Sequence, residues 1–210
     1  MNGLIKLNIS KGISIFLFIS IFAFSSFALT PQEALNKGKS ALASAKSVSA
    51  DFSMKVNGQN VKGRLLSKGS KFTLISNISS NWFNGKDLYT YIPSKKETTV
   101  FNPTATELAE VNPLLYLNTS SNYKVAGTKK KVPGIETLVL IPLKPGGGMK
   151  SVTIDLNSKT FLPTKIRIVP NSGSPIEISL SNVKLNVSIP DSYFEYPKSK
   201  YPKVNIVDMR

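Results

Sequence analysis

Ser47-Val48-Ser49-Ala50-Asp51-Phe52-Ser53-Met54-Lys55-Val56-Asn57-Gly58 is the stretch that decides the fold class. Val48, Ala50, Phe52, Met54 and Val56 fall on one side of its alternation, and Ser47, Ser49, Asp51, Ser53 and Lys55 on the other. A period of two is the signature of a strand with one face dry and one face wet, because successive side chains leave a strand in opposite directions. Asn57-Gly58 then offers the positive backbone angles that a two-residue hairpin needs. The chain is therefore expected to fold back on itself directly.

Downstream, the same grammar repeats. Val61, Gly63 and Leu65 alternate with Lys62 and Arg64. A third strand carries Phe72 and Leu74, and Trp82-Phe83 runs into a second hairpin turn at Asn84-Gly85. Leu88-Tyr89-Thr90-Tyr91-Ile92 follows, and Pro93-Ser94-Lys95-Lys96 turns the chain into Glu97 to Phe101. Later strands are expected at Tyr123 to Val125, Ile135 to Ile141, Val152 to Leu156, Thr164 to Val169 and Ile176 to Leu185. The last of these slips phase between Leu180 and Val183, as a bulge would make it do. Between Asn102 and Asn118 the alternation stops. Pro103 opens a segment with Ala105, Leu108, Ala109 and Val111, and Pro113 opens Leu114-Leu115-Tyr116-Leu117. Two short helical turns are expected there. The sum is about nine to eleven strands in a meander, which makes a barrel or a strongly curved sheet.

Upstream of the deciding stretch lies one helix. Thr30 is its cap, Pro31 its first residue, and Glu33 completes a Thr-x-x-Glu capping box. Ala34, Leu35, Gly38, Ala41, Leu42 and Ala45 give it one small-residue apolar face. Residues 1–28 read as a secretory signal. Lys6 and Lys11 precede an apolar run from Ile13 to Phe24, and Ser26-Phe27-Ala28 offers small residues for cleavage before Leu29. Residues 29–210 are then expected to form one exported domain. With no Cys anywhere, that domain cannot be lipidated on a cysteine.

Composition removes several classes of function. The chain has no His and no Cys, which takes away the commonest general base, thiolate nucleophiles and the usual zinc ligands. The twelve acidic residues are scattered singly except for Glu107 and Glu110. No metal loop, phosphate loop or nucleophile elbow is present. The expectation is a protein without enzymatic activity, cofactor or metal. Of 27 basic residues two lie in the leader, which leaves 25 against 12 acidic ones, or about +13. Such a field attracts anions. Export argues against nucleic acid, so an anionic membrane surface or an acidic partner remains, beside the plainer reading that these lysines solvate strand faces and edges.

The order of these motifs resembles the periplasmic lipoprotein carrier family, LolA. Ser47 to Met54 is similar to that family's first strand, with Met54 where a Gln is usual. Gly63-Arg64-Leu65-Leu66-Ser67-Lys68-Gly69-Ser70-Lys71-Phe72 is similar to its second block. Asn84-Gly85-Lys86-Asp87-Leu88-Tyr89-Thr90-Tyr91-Ile92-Pro93 resembles its Asp-Gly-Lys-x-Leu-aromatic-x-Tyr block, and Pro113 to Leu117 falls where the family has a lid helix. The resemblance implies an unclosed antiparallel β-barrel, with the N-terminal helix and the helical insert closing it. It also implies an apolar cavity, which periodicity alone does not show. Its strand wall would hold Phe52, Met54, Leu65, Phe72, Leu74, Trp82, Tyr89 and Tyr91, and its lid Leu114 and Leu115. The family's lid-latching Arg aligns with Lys68, next to Gly69 in place of a Pro. The implied function is a monomeric periplasmic chaperone. It would take acylated lipoproteins from an inner-membrane release complex to an outer-membrane acceptor. The alternative on this scaffold is a protein that binds free lipid or senses envelope stress.

Overall fold

The computed structural model describes residues 29–56, 58–118, 120–128, 132–144 and 148–210. The expected signal peptide lies outside them.

Helix α1 (Pro31–Ala43) begins as the sequence dictates. The Thr30 hydroxyl accepts from the Glu33 amide, and the Glu33 carboxylate accepts in return from the Thr30 backbone. These bonds hold the Glu33 carboxyl below the usual carboxylate range. From there the chain runs through β1 (Val48–Val56), β2 (Gln59–Lys68), β3 (Lys71–Ser76), β4 (Ser80–Phe83), β5 (Leu88–Ile92) and β6 (Glu97–Phe101). Each pairs antiparallel with the next. Gly58, Gly69 and Gly85 take the positive angles at three of the reversals; Asn57 lies outside the described residues. Helix α2 (Ala105–Val111) carries a second capping box, Thr104 with Glu107, and a 3₁₀ turn follows at Pro113–Leu117. Strands β7 (Tyr123–Gly127), β8 (Ile135–Pro142), β9 (Met149–Asn157), β10 (Pro163–Pro170) and β11 (Ile176–Leu185) complete a second meander.

The two meanders join through β1 and β11, which gives one sheet in the order β12-β6-β5-β4-β3-β2-β1-β11-β10-β9-β8-β7, where β12 is Asn205–Asp208. The order is linear, so the barrel is unclosed, with β12 at one edge and β7 at the other. The expected phase slip in β11 is present. The β1–β11 register shifts between Ser49 and Asp51, and Asn182 takes a φ of +50°. A bulge of this kind bends the sheet where its two halves meet. Strand β12 was not anticipated. It pairs parallel with β6, about a hundred residues away in the chain, and its four residues show no dry face to betray it.

One apolar cluster gathers the inner faces of the strands with α1, α2 and the 3₁₀ turn. Helix α1 packs on β7 and β8, with Gly38 turned toward β9 and Pro31 against Gly127 of β7. A Cβ on Gly38 would press on Leu156, and one on Gly127 would come within 2.9 Å of Pro31. That position leaves the central strands to the short lid alone. No helix among the described residues is long and apolar enough to cross a membrane.

Candidate functional site

Beneath the lid lies a cavity of about 300 Å³, at the lower end of the range typical of small-molecule sites. Its floor is built by period two. Phe52, Met54 and Val56 come from β1, Leu65 from β2 and Leu74 from β3. Ile166 and Ile168 come from β10, and Ile176, Ile178 and Leu180 from β11. The roof is Glu110 and Val111 at the end of α2, with Pro113 and Leu114. The polar members are few. Asn81 is satisfied within the wall, since its oxygen accepts from the Thr90 hydroxyl at 2.9 Å and its nitrogen reaches the Leu74 carbonyl. Ser79 lies at the β3–β4 turn, so it belongs to the rim.

The lid is hinged on Asn112, which is only 1% exposed. Its amide closes the last turn of α2 against the Leu108 carbonyl, and its side-chain oxygen accepts from the Leu114 amide to start the 3₁₀ turn. Tyr116 and Leu117 are buried behind it. Burial, then the neighbouring Tyr123 and Glu110, push the Tyr116 hydroxyl up. A seven-residue helix and a five-residue turn have little stability of their own, so the lid is held in place by its packing on the core.

Of the residues expected at the site, Phe52, Met54, Leu65, Leu74 and Leu114 meet at this cavity. The others are placed elsewhere. Phe72, 1% exposed, packs at 5.5 Å between ring centroids on Phe83 inside the core. Leu115 lines a smaller gap against Leu42 and Ala45 of the helix end. Trp82, Tyr89 and Tyr91 require a correction, because they lie on the opposite face of the sheet. Register decides it: Asn81 and Phe83 stand opposite Leu74 and Phe72, so Trp82 must point outward beside its partner Tyr89, with Tyr91 next along β5. There they meet Tyr196 and Tyr201 of the C-terminal segment. Tyr89 stacks on Tyr196 at 5.2 Å and Tyr91 lies 4.4 Å from Tyr201.

Lys68 requires the same correction. Leu65 points in, so Lys68, three residues on, points out. Its ammonium donates to the Ile189 carbonyl at 3.1 Å and to Asp191 at 2.7 Å, joined there by Lys71. It clamps the C-terminal segment and does not touch the lid. Lys68, followed by Lys71, holds the Asp191 carboxyl below its usual range. Sequence reasoning missed Val56, Ser79 and Asn81 of the cavity, Glu110, Val111 and Pro113 of its roof, and, as the largest group, the residues of β10 and β11. The signal of that last group was available, because Ile166/Ile168 and Ile176/Ile178/Leu180 alternate as cleanly as β1 does. A second, outer hollow of about 690 Å³ lies between β2–β4 and the C-terminal segment. Arg64, Glu195 and Lys200 line it beside Trp82 and Tyr201, which gives it a mixed polar character unlike the inner cavity.

An unclosed β-barrel with an apolar cavity beneath two short helical pieces defines the class of fold. The sequence places it further: residues 43–197 match the profile of the family described as outer membrane lipoprotein carrier protein LolA, and the chain belongs to that family. A comparison with curated proteins finds no match. Among solved structures the fold is similar to that of an uncharacterized conserved protein from Thermus thermophilus. The TM-score there is 0.58 at 11% identity, over 84% of this chain and 98% of the other. A DUF1329 family protein from Desulfovibrio piger gives a TM-score of 0.49 at 12% identity, over 80% and 98% of the two chains. A LolA superfamily protein from Nitrosomonas europaea gives 0.43 at 15% identity, over 80% and 99%. At 11% identity the likeness to the Thermus thermophilus protein is one of fold.

Proposed function

We propose that this protein is an exported, single-domain carrier that binds the acyl chains of lipoproteins in the cavity beneath its lid. In this reading it works in the periplasm, loads at an inner-membrane release complex and unloads to an outer-membrane acceptor. The observation that carries the reading is the cavity itself, walled by aliphatic and aromatic side chains from five strands and roofed by two short helical pieces. An acyl chain gains roughly 0.8 kcal/mol for each methylene it buries. Release into water is correspondingly costly, so cargo must pass from one apolar site directly to another. The closed cavity suits one chain. A lipoprotein with several would need the lid raised, and the weak intrinsic stability of α2 and its neighbouring turn suits that motion.

Mass spectrometry of ligand that co-purifies with the exported protein tests this. Acylated peptides are the expected finding. Free phospholipid or fatty acid alone would turn the reading to a lipid binder on the same scaffold. Absence of any apolar ligand, in a protein that also fails to bind an added acyl probe, would overturn both.

A further inference from the structure

Glu110 is the single charged side chain lining the cavity among the described residues. It lies in the last turn of helix α2, on the lid, and is exposed; its Oε1 lies 3.9 Å from where a Cβ would sit on Gly148, just before β9. No ion-pair partner accompanies it among the described residues. Lys55, next to the lining residue Val56, leaves β1 on the opposite face, since Met54 and Val56 take the inner one. An exposed carboxylate with no ion-pair partner among the described residues thus stands where the roof of an otherwise uncharged cavity meets solvent, in a chain whose overall charge is +15.

We propose that Glu110 selects acyl ligands by their linkage, admitting chains that end in a neutral ester or amide and rejecting those that end in a free carboxylate. This rests on the reading of the cavity as an acyl site and names its ligand class. The physics is Coulombic. A chain that fills the cavity from the floor leaves its polar end at the mouth, beside Glu110. A second carboxylate there meets like charge beside a low-dielectric wall, where repulsion is stronger than in open water. An ester or amide meets a hydrogen-bond acceptor and no net repulsion. The acyl groups of a lipoprotein are esters and amides, whereas a free fatty acid is an anion. The general positive field of the chain draws anions to its surface, so discrimination must come from a local negative charge, and Glu110 is placed to supply it.

The test compares two ligands with the same ten-carbon chain, decanoate and 1-decanoylglycerol, by titration calorimetry at pH 8 and low salt on the protein, on Glu110→Gln and on Glu110→Lys. The native protein is expected to favour decanoylglycerol by about threefold to tenfold over decanoate. That ratio should collapse toward one in Glu110→Gln, reverse in Glu110→Lys, and shrink at 0.5 M salt as screening shortens the interaction. Equal affinities that neither substitution changes would overturn the role of Glu110 and leave the acyl site standing. A preference for decanoate in the native protein would do the same. If neither ligand binds the native protein, the acyl site and the selectivity fall together.

Discussion

Phe52 and Gly63 stand opposite each other on β1 and β2, and neither can be understood alone. A Cβ on Gly63 would come within 2.6 Å of the Phe52 ring and would collide with the Ile75 carbonyl. The glycine is there because the phenylalanine lies flat across β2 to floor the cavity. Gly63→Ala is therefore expected to destabilise the fold by about 1–3 kcal/mol, the usual cost of overpacking, rather than to gain the stability that removing a strand glycine often brings. Equilibrium denaturation in urea measures it, and a gain in stability would show that the ring is not pinned. The alternation that revealed Phe52 also revealed its burial. It did not reveal that Gly63 was chosen for Phe52, because a missing side chain leaves no period to read. Trp82, Tyr89 and Tyr91 show the complementary limit. In a strand whose two faces are both buried, alternation no longer says which face is the inner one. Ser80, Asn81, Trp82 and Phe83 are all buried, so only register against β3 could assign them.

At the scale of elements, the cavity exists because helix α1 is displaced toward β7 and β8. Gly38 and, on β7, Gly127 let it lie close to that end of the sheet, and the central strands are left under two short pieces that cannot fill the space above them. The existence and position of those pieces were legible, since Pro103 and Pro113 interrupt the strand rhythm and apolar residues follow at helical spacing. The emptiness beneath was not, because volume between elements has no local pattern. If the space is functional, filling it should abolish binding without harming the fold. Met54 is half-buried on the cavity wall. Met54→Trp is expected to weaken binding of an acyl probe by at least about tenfold while Tm stays within about 4 °C, the shift that 1 kcal/mol makes in a chain of this size. Probe titration and calorimetry measure the two quantities. Undiminished binding in a folded Met54→Trp protein would place the ligand elsewhere, with the outer hollow next in line.

Across the whole molecule, the C-terminal segment ties the outer face of one half-barrel together, and its fastenings are charged. Asp191 is held by Lys68 and Lys71 at one end. At the other, Arg210 bridges Asp208 and Asp87, and Asn102 donates to Asp87 at 2.7 Å. Between them Tyr196 and Tyr201 cover Trp82, whose relative exposure is 5%. This strap was invisible in the sequence because its contacts lie a hundred residues away, although Tyr196 and Tyr201 among Pro190, Pro197 and Pro202 mark a stretch ordered by something other than a strand. Its fastenings set a pH dependence whose sign is fixed. Asp191 is held low by Lys68, then Lys71, and hydrogen bonds from Arg210 draw Asp208 down to about 2. Carboxyls depressed in the folded state stabilise it above their unfolded values, near 4, and that contribution is lost as pH falls from there toward 2. Trp82 is the chain's single tryptophan, so its emission reports on the strap that covers it wherever the far-ultraviolet spectrum shows the sheet intact. Its emission is expected to hold constant from pH 8 to 5 and to shift to the red between pH 4 and 2 as the strap lifts. In an Asp191→Asn/Asp208→Asn protein the shift should already be present in part at pH 7 and should change less with acid. Emission that stays blue at pH 2 in the native protein would mean that the aromatic stack, and not the ion pairs, keeps the segment in place.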